Sequence, residues 1–388
     1  MAAAKKEDSK KRKHAPPTAA KSPPHNKLSG DKKQQAKSHD PVDIKRQCRI
    51  KAKELVEARK KRKKHYTLEQ ELASLWEKMR IRNIAKEERS RLVSDALKRM
   101  KGKIPEIASS HVSSRVLQSC VKHCTQDERN AVFVEIRPHF ITLASYTYAV
   151  HLVTKMLDNA SKEQQVEFIS SLHGHVAALL RHMVGSLVVE HAYQLGNAAQ
   201  KQTLLMELYS PELQLFKDLI SVKEAKLVDV ISNLQLQKGS VIRHMTSVLQ
   251  PILEKGILDH SIIHKAIVEY FTIADRSSAA DIIQQLSSPD LVRMIHTKDG
   301  SKIGIFCIKH GSAKERKKII KGMKDKVGKI ARDNCATLVL VSILSIVDDT
   351  KHLSKVIIRE LEGILKELLS DQVCPSSGVC KLHPVYVN

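Results

Sequence analysis

A six-residue block recurs along the chain: Ser113 to Gln118, Ala149 to Thr154, Gly185 to Glu190, then His260 to Lys265, Gly300 to Ile305 and Ala336 to Val341. Taking the second residue of each block as an anchor, the spacings are 36, 36, 75, 40 and 36. The wide interval is about two periods, so a degenerate copy is expected near Val222. Two places after every anchor the residue is apolar (Val116, Leu152, Val188, Ile263, Ile303, Val339), and so is the residue seven places after (Val121, Leu157, Tyr193, Val268, Ile308, Leu344). Twelve apolar residues at twelve such places stand out in a chain that is 42% hydrophobic. Residues five apart cannot share a face of a strand, whereas on a helix of 3.6 residues per turn they stand about 140° apart and flank one broad apolar side. Each block therefore opens a helix that packs inward through these places, leaving the anchor, the next residue and the one four on for another face. A self-similar period of this length implies a solenoid, each unit burying its apolar face on its neighbours. No alternating run rich in Val, Ile and Thr asks for a strand, so the expected fold is an all-α solenoid.

The order along the chain follows from composition. Residues 1–66 hold Pro16-Pro17 and Pro23-Pro24, few large apolar residues and, through His65, 22 Lys and Arg against seven Asp and Glu. Such a segment cannot offset its ordering entropy by burial and is expected to stay largely disordered. It carries two basic clusters, Lys10, Lys11, Arg12, Lys13 and Arg59, Lys60, Lys61, Arg62, Lys63, Lys64, which read as nuclear-localisation signals or a phosphate-binding arm. Residues 67–102 alternate apolar and polar with helical spacing (Leu68, Leu72, Leu75, Trp76, Met79, then Leu92, Val93, Leu97, Met100) and read as helices capping the array. Thr67 with Gln70 is a candidate capping box. The array spans 103–372, with turns at Gly102, Asn159-Ala160-Ser161, Gly196-Asn197, Gly256, Ser287-Ser288-Pro289 and Gly311-Ser312. Residues 373–388 have no helical period, and the array is expected to be incomplete at its C-terminus.

Charge narrows the partner. Sixty-six Lys and Arg against 42 Asp and Glu give a net charge of +24, which suits a polyanion. No apolar run reaches the roughly 18 residues of a membrane span, and the basic stretch Ile44–Lys64 lacks the aromatics of a membrane-surface helix. Seven scattered cysteines fit a reducing compartment. Cys120, His123 and Cys124 have no second pair to complete a metal site. No phosphate-cradling loop, nucleophile elbow or metalloprotease motif is present, so no enzyme, cofactor, metal or small-molecule substrate is expected.

The blocks resemble the RNA-facing helices of Puf (pumilio-homology) repeats. The narrower likeness is to the nucleolar Puf-A-type pumilio-related proteins. It is carried by Ala108 to Gln118, Gly174-His175-Val176 through Arg181-His182, His260 to Lys265, His296-Thr297-Lys298-Asp299-Gly300 and Asp348-Asp349-Thr350-Lys351. The resemblance covers about residues 66–372. It implies three-helix repeats of about 36 residues, each offering a base two edge-contacting residues four apart and a stacking residue between them. It also implies a nuclear and nucleolar protein that binds RNA (pre-rRNA or mRNA), and DNA, with little sequence preference. Such a protein would act with pre-ribosomal proteins in ribosome biogenesis and pre-rRNA processing. Members of this family continue through further repeats, which makes a truncated or alternatively spliced product the expectation here.

Placed on the implied pattern, Ser114 and Gln118 offer a hydroxyl and an amide to a base edge, with Arg115 as stacker. Ser186 and Glu190 offer acceptors. His151 with Thr154, Ser261 with Lys265, and Lys302 complete the candidates of the blocks, while Ser301/Ile305 and Thr337/Val341 cannot form a bidentate pair. So sparse a code predicts a poor reader of sequence. Ten basic residues between Lys309 and Arg332, Lys317, Lys318 and Lys321 among them, are opposed only by Glu315 and Asp325 and are expected to contact phosphates. Two alternatives remain at this level. One is a protein-binding helical scaffold, which would be expected to carry Asn or Trp ladders. The other is a sequence-specific regulator of mRNA translation.

Overall fold

The computed structural model describes residues 64–215 and 226–370, all within the compact unit Lys63–Asn388. The described residues are helical, with no strand among them. Each block is the start of a helix: His111–His123, Ala149–Asp158, Gly185–Leu195, Ser261–Ile273, Lys298–His310 and Ala336–Ile346. Behind each runs a second helix whose N-terminus is closed by the side chain of its own first residue. Thr125, Ser161, Asn197, Asp275, Ser312 and Asp349 accept from the backbone N–H three residues on. Four of these are full capping boxes, completed by Glu128, Gln164, Gln200 and Glu315. An uncapped helix start leaves N–H groups without partners, so each cap stabilises by about 1 kcal/mol and pins the register of its unit.

A short third helix completes most units, and glutamates fasten it. Glu135 accepts from the N–H of Ile104, Glu207 from those of Gly174 and Val176, and Glu360 from those of Asp325 and Val327. In each case a carboxylate on the capped helix meets the positive end of its own unit's short helix. Glu207 is 6% exposed and also takes the His173 ring at 3.1 Å.

The block helices lie side by side as one layer, and the residues two after each anchor (Val116, Leu152, Val188, Ile263, Ile303, Val339) are all 0% exposed. Seven places after the anchor, Val121, Leu157 and Ile308 are buried, Tyr193 and Val268 are half-buried, and Leu344 is 41% exposed. The first block helix packs against both Tyr66–Met79 and Lys86–Met100, which bury Leu72, Leu75, Val93, Leu97 and Met100 against it.

Two expectations change. The helix at the N-terminal end starts at Tyr66 with His65 at its N-cap and no side-chain cap, so Thr67 and Gln70 form no capping box. In the 75-residue interval the chain supplies the helices Ala198–Tyr209, Leu227–Asn233 and Lys238–Glu254, the last packed between capped helices, while Gly185–Leu195 packs directly on Ser261–Ile273. Val222 itself lies outside the described residues.

Candidate nucleic-acid interface

On a block helix each residue turns about 100° from the last. With the core side set by the residues two and seven after the anchor, the next residue after the anchor points almost directly away from the core. The anchor itself points sideways, at the neighbouring helix. The exposures follow this geometry. Arg115, His151, Leu187, Lys302 and Leu338, each one after an anchor, are exposed, and only Ile262 is buried. The anchors Ser114, Val150, Ser186 and Ser301 are 1 to 3% exposed.

Several of the side chains expected at base edges are engaged by protein groups instead. Ser114 donates its hydroxyl to the Tyr148 carbonyl in the next unit at 2.6 Å, and Gln118 donates to Ser114 Oγ at 3.1 Å. Ser186 Oγ donates to the Met183 carbonyl and Ser301 Oγ to that of Lys298. Glu190, expected to accept from a base, is engaged by protein donors: Ser261 Oγ at 2.7 Å, the Ile262 N–H at 3.3 Å and Gln194 Nε2 at 2.6 Å. Burial pushes the Glu190 carboxyl up, but the donors of Gln194, Ser261 and Ile262 outweigh it and hold it below the ordinary value. Thr154 donates to the His151 carbonyl.

Beside the exposed Leu187 and Leu338, the block-helix layer presents cationic and imidazole side chains. Arg115 and His151 are exposed, and no side-chain bond or ion pair engages either among the described residues. Lys265 pairs with Glu269 at 2.7 Å and Lys302 with Asp299 at 2.9 Å, both within one helix. The Lys302 pair is exposed, contributes little and exchanges readily for a phosphate, whereas Glu269 is buried and also accepts from the Leu227 N–H, which commits Lys265 to the protein. His182 stands exposed at the start of Gly185–Leu195, where its Nδ1 accepts from the Gly185 N–H at 3.1 Å.

The basic run separates from this layer. Lys309 ends a block helix, but Lys314, Lys317, Lys318 and Lys321 stand on the capped helix Ala313–Met323, in the other layer. Lys317 pairs with Asp349 at 2.9 Å, and Arg316 turns back onto the carbonyls of Ile308 and Lys309. Lys10, Lys11, Arg12, Lys13 and Arg59 to Lys63 lie outside the described residues. Lys64, the last of that cluster, contacts Glu106 at 2.7 Å, and its hydrogen bond, with that of His65, lowers the Glu106 carboxyl to about 2.

Cys120, Cys124 and Cys307 are buried in the core as free thiols, and burial pushes Cys120 up to about 12. They are packing groups. The recurring caps were legible and missed: Thr125-x-x-Glu128, Ser161-x-x-Gln164 and Asn197-x-x-Gln200 repeat at the block period.

Comparison with known proteins agrees with this geometry. A model of the Pumilio-family RNA binding repeat matches residues 103–137 and 175–209, two units of the array. The chain is 60% identical over 359 residues to Pumilio homolog 24 of Arabidopsis thaliana, covering 92% of this chain and 55% of that protein. It is 33% identical over 326 residues to Pumilio homolog 3 of Homo sapiens, covering 83% and 50%. The chain thus spans about half the length of these relatives. Among solved structures, human Puf-A superposes with a TM-score of 0.73 at 32% identity, over 79% of this chain and 60% of that one. Human Puf-A in complex with DNA superposes at 0.71, with the same identity and coverage.

Proposed function

The chain belongs to the family of Pumilio-repeat RNA-binding proteins, and from that premise we propose that it grips RNA, and DNA, mainly through the phosphate backbone with low sequence specificity. The observation that carries this reading is the internal use of the base-edge positions. A hydroxyl already donating to a backbone carbonyl at 2.6 Å, as Ser114 does, cannot also donate to a base without breaking a bond between units. Exposed cations remain: Arg115, Lys302 and, on the second layer, Lys318 and Lys321. Phosphate contacts supply affinity without sequence information and make it fall steeply with salt. A solved relative, human Puf-A, is described in complex with DNA, which supports a ligand recognised through its backbone.

The test is a titration of unrelated single-stranded RNAs of equal length at several salt concentrations. Similar affinities with a common steep salt dependence are expected. A tenfold or larger preference for one sequence at constant salt would overturn the reading.

The likeness to Puf-A-type proteins extends the proposal to the nucleus and nucleolus, with a part in ribosome biogenesis and pre-rRNA processing alongside pre-ribosomal proteins. Fluorescent tagging and pre-rRNA profiles after depletion test this. Exclusion from the nucleolus with unchanged precursor levels would remove it.

A further inference from the structure

The described residues include few exposed aromatic rings. Of the Phe, Trp and Tyr side chains described, only Tyr146 (48%) and Tyr148 (42%) are exposed; the others are buried or half-buried. Both stand in the short connection leading into the helix Ala149–Asp158, and Tyr148 lies against the helix His111–His123, which carries the uncommitted Arg115. Leaving two large rings in water forgoes the burial that aromatic residues normally supply.

Tyr148 is also held in place. Its carbonyl accepts from Ser114 Oγ at 2.6 Å, and its ring meets His111 edge to face, with centroids 5.1 Å apart and planes at 76°. His111 and Arg115 are four apart on one helix and both exposed, so they share a face. A fixed, exposed ring against His111, with a free guanidinium one helical turn further on, suits one ligand chemistry: an unpaired base stacking on the ring while a neighbouring phosphate meets the cation. The site is particular to this junction. The places 36 residues on from Tyr146 and Tyr148 are His182 and Val184, and those 36 residues before are Ser110 and Val112.

Resting on the nucleic-acid reading above, we propose that Tyr148, backed by His111 and flanked by Arg115, is a stacking platform for one unpaired base of a single-stranded nucleic acid. It lies outside the recurring three-residue pattern of the block helices. It needs no base identity, since every base has a π-face.

The experiment compares the full chain with its Tyr148→Leu and Tyr148→Phe variants. The probes are a single-stranded RNA of mixed sequence and an abasic phosphodiester strand of the same length. Tyr148→Leu is expected to weaken RNA binding about tenfold and to leave abasic binding unchanged, while Tyr148→Phe binds both as the parent does. Thermal melting of each variant shows that the fold is kept, and if Tyr148→Leu melts early, His111→Leu, which unseats the ring, takes its place with the same expectation. Equal losses on both strands, or none on either, overturn the platform. A parent chain that binds neither strand overturns the backbone-binding reading as well, so the two failures are distinct.

Discussion

Glu190 and Ser261 are 71 residues apart and hydrogen-bonded at 2.7 Å, and the same carboxylate accepts from the Ile262 N–H at the start of the helix Ser261–Ile273. Two block helices separated by twice the usual interval in sequence are thereby neighbours in space. A side chain at a base-reading position has become the cap of the next helix.

Removing that carboxylate leaves the half-buried Ser261 hydroxyl and the Ile262 N–H without their acceptor. Glu190→Ala is expected to cost about 1–3 kcal/mol in urea denaturation at neutral pH. Because the folded carboxyl lies below its ordinary 4.5, this contribution is full above that value and is lost as pH falls through the depressed one. The variant's stability should therefore fall less on acidification than the parent's, and parallel curves would show that Glu190 carries no such linkage.

His264 works in the same direction. It is 1% exposed, donates from Nε2 to the Leu258 carbonyl at 2.6 Å and accepts at Nδ1 from Thr297 Oγ1 at 2.8 Å. Burial pushes its ring below the ordinary 6.5, against the opposing pull of the Leu258 carbonyl and then of Glu190, Asp299 and Asp259. An unfolded chain takes up the proton first, so stability is full above 6.5 and falls as pH drops through the depressed value. His264→Gln should flatten the dependence of Tm on pH across that window.

Adjacent residues should separate stability from binding. Ser114→Ala removes the bond to the Tyr148 carbonyl and is expected to cost about 1 kcal/mol of stability. Arg115→Ala, on the exposed side, should leave Tm unchanged while costing about 1–2 kcal/mol in binding single-stranded RNA. It should cost clearly less for duplex DNA of matched charge, where bases stay stacked. Equal losses on the two ligands would show that Arg115 meets phosphates alone and does not also stack on a base.

Glycines make a further contrast. A Cβ at Gly300 would overlap the Met294 carbonyl oxygen and lie 2.6 Å from its carbon, backbone that cannot swing aside. Gly300→Ala is expected to destabilise by about 2–3 kcal/mol or more. Gly363 lies inside the helix Arg359–Ser370 with nothing within 4 Å of an added methyl, so Gly363→Ala should stabilise by about 0.5–1 kcal/mol. Thermal melts of the two variants should move in opposite directions.

Much of this architecture is written locally. The residues two after each anchor have the side-chain chemistry and the angle that force them inward, and all six are fully buried. The caps at Thr125, Ser161 and Asn197 follow from hydrogen bonds spanning three residues. Such features need only a helix and its own turn, so an unaligned sequence carries them. The fate of the anchor is different. It points sideways, and whether Ser114 faces a base or the Tyr148 carbonyl, 34 residues away, depends on how closely the next unit packs. Likewise nothing near Glu190 in sequence names Ser261 as its partner, nor assigns Lys318 and Lys321 to the layer opposite Arg115. Periodicity encodes which side of a helix is apolar. Contacts between units, set by packing across tens of residues, decide which polar groups are consumed and which are left for a ligand.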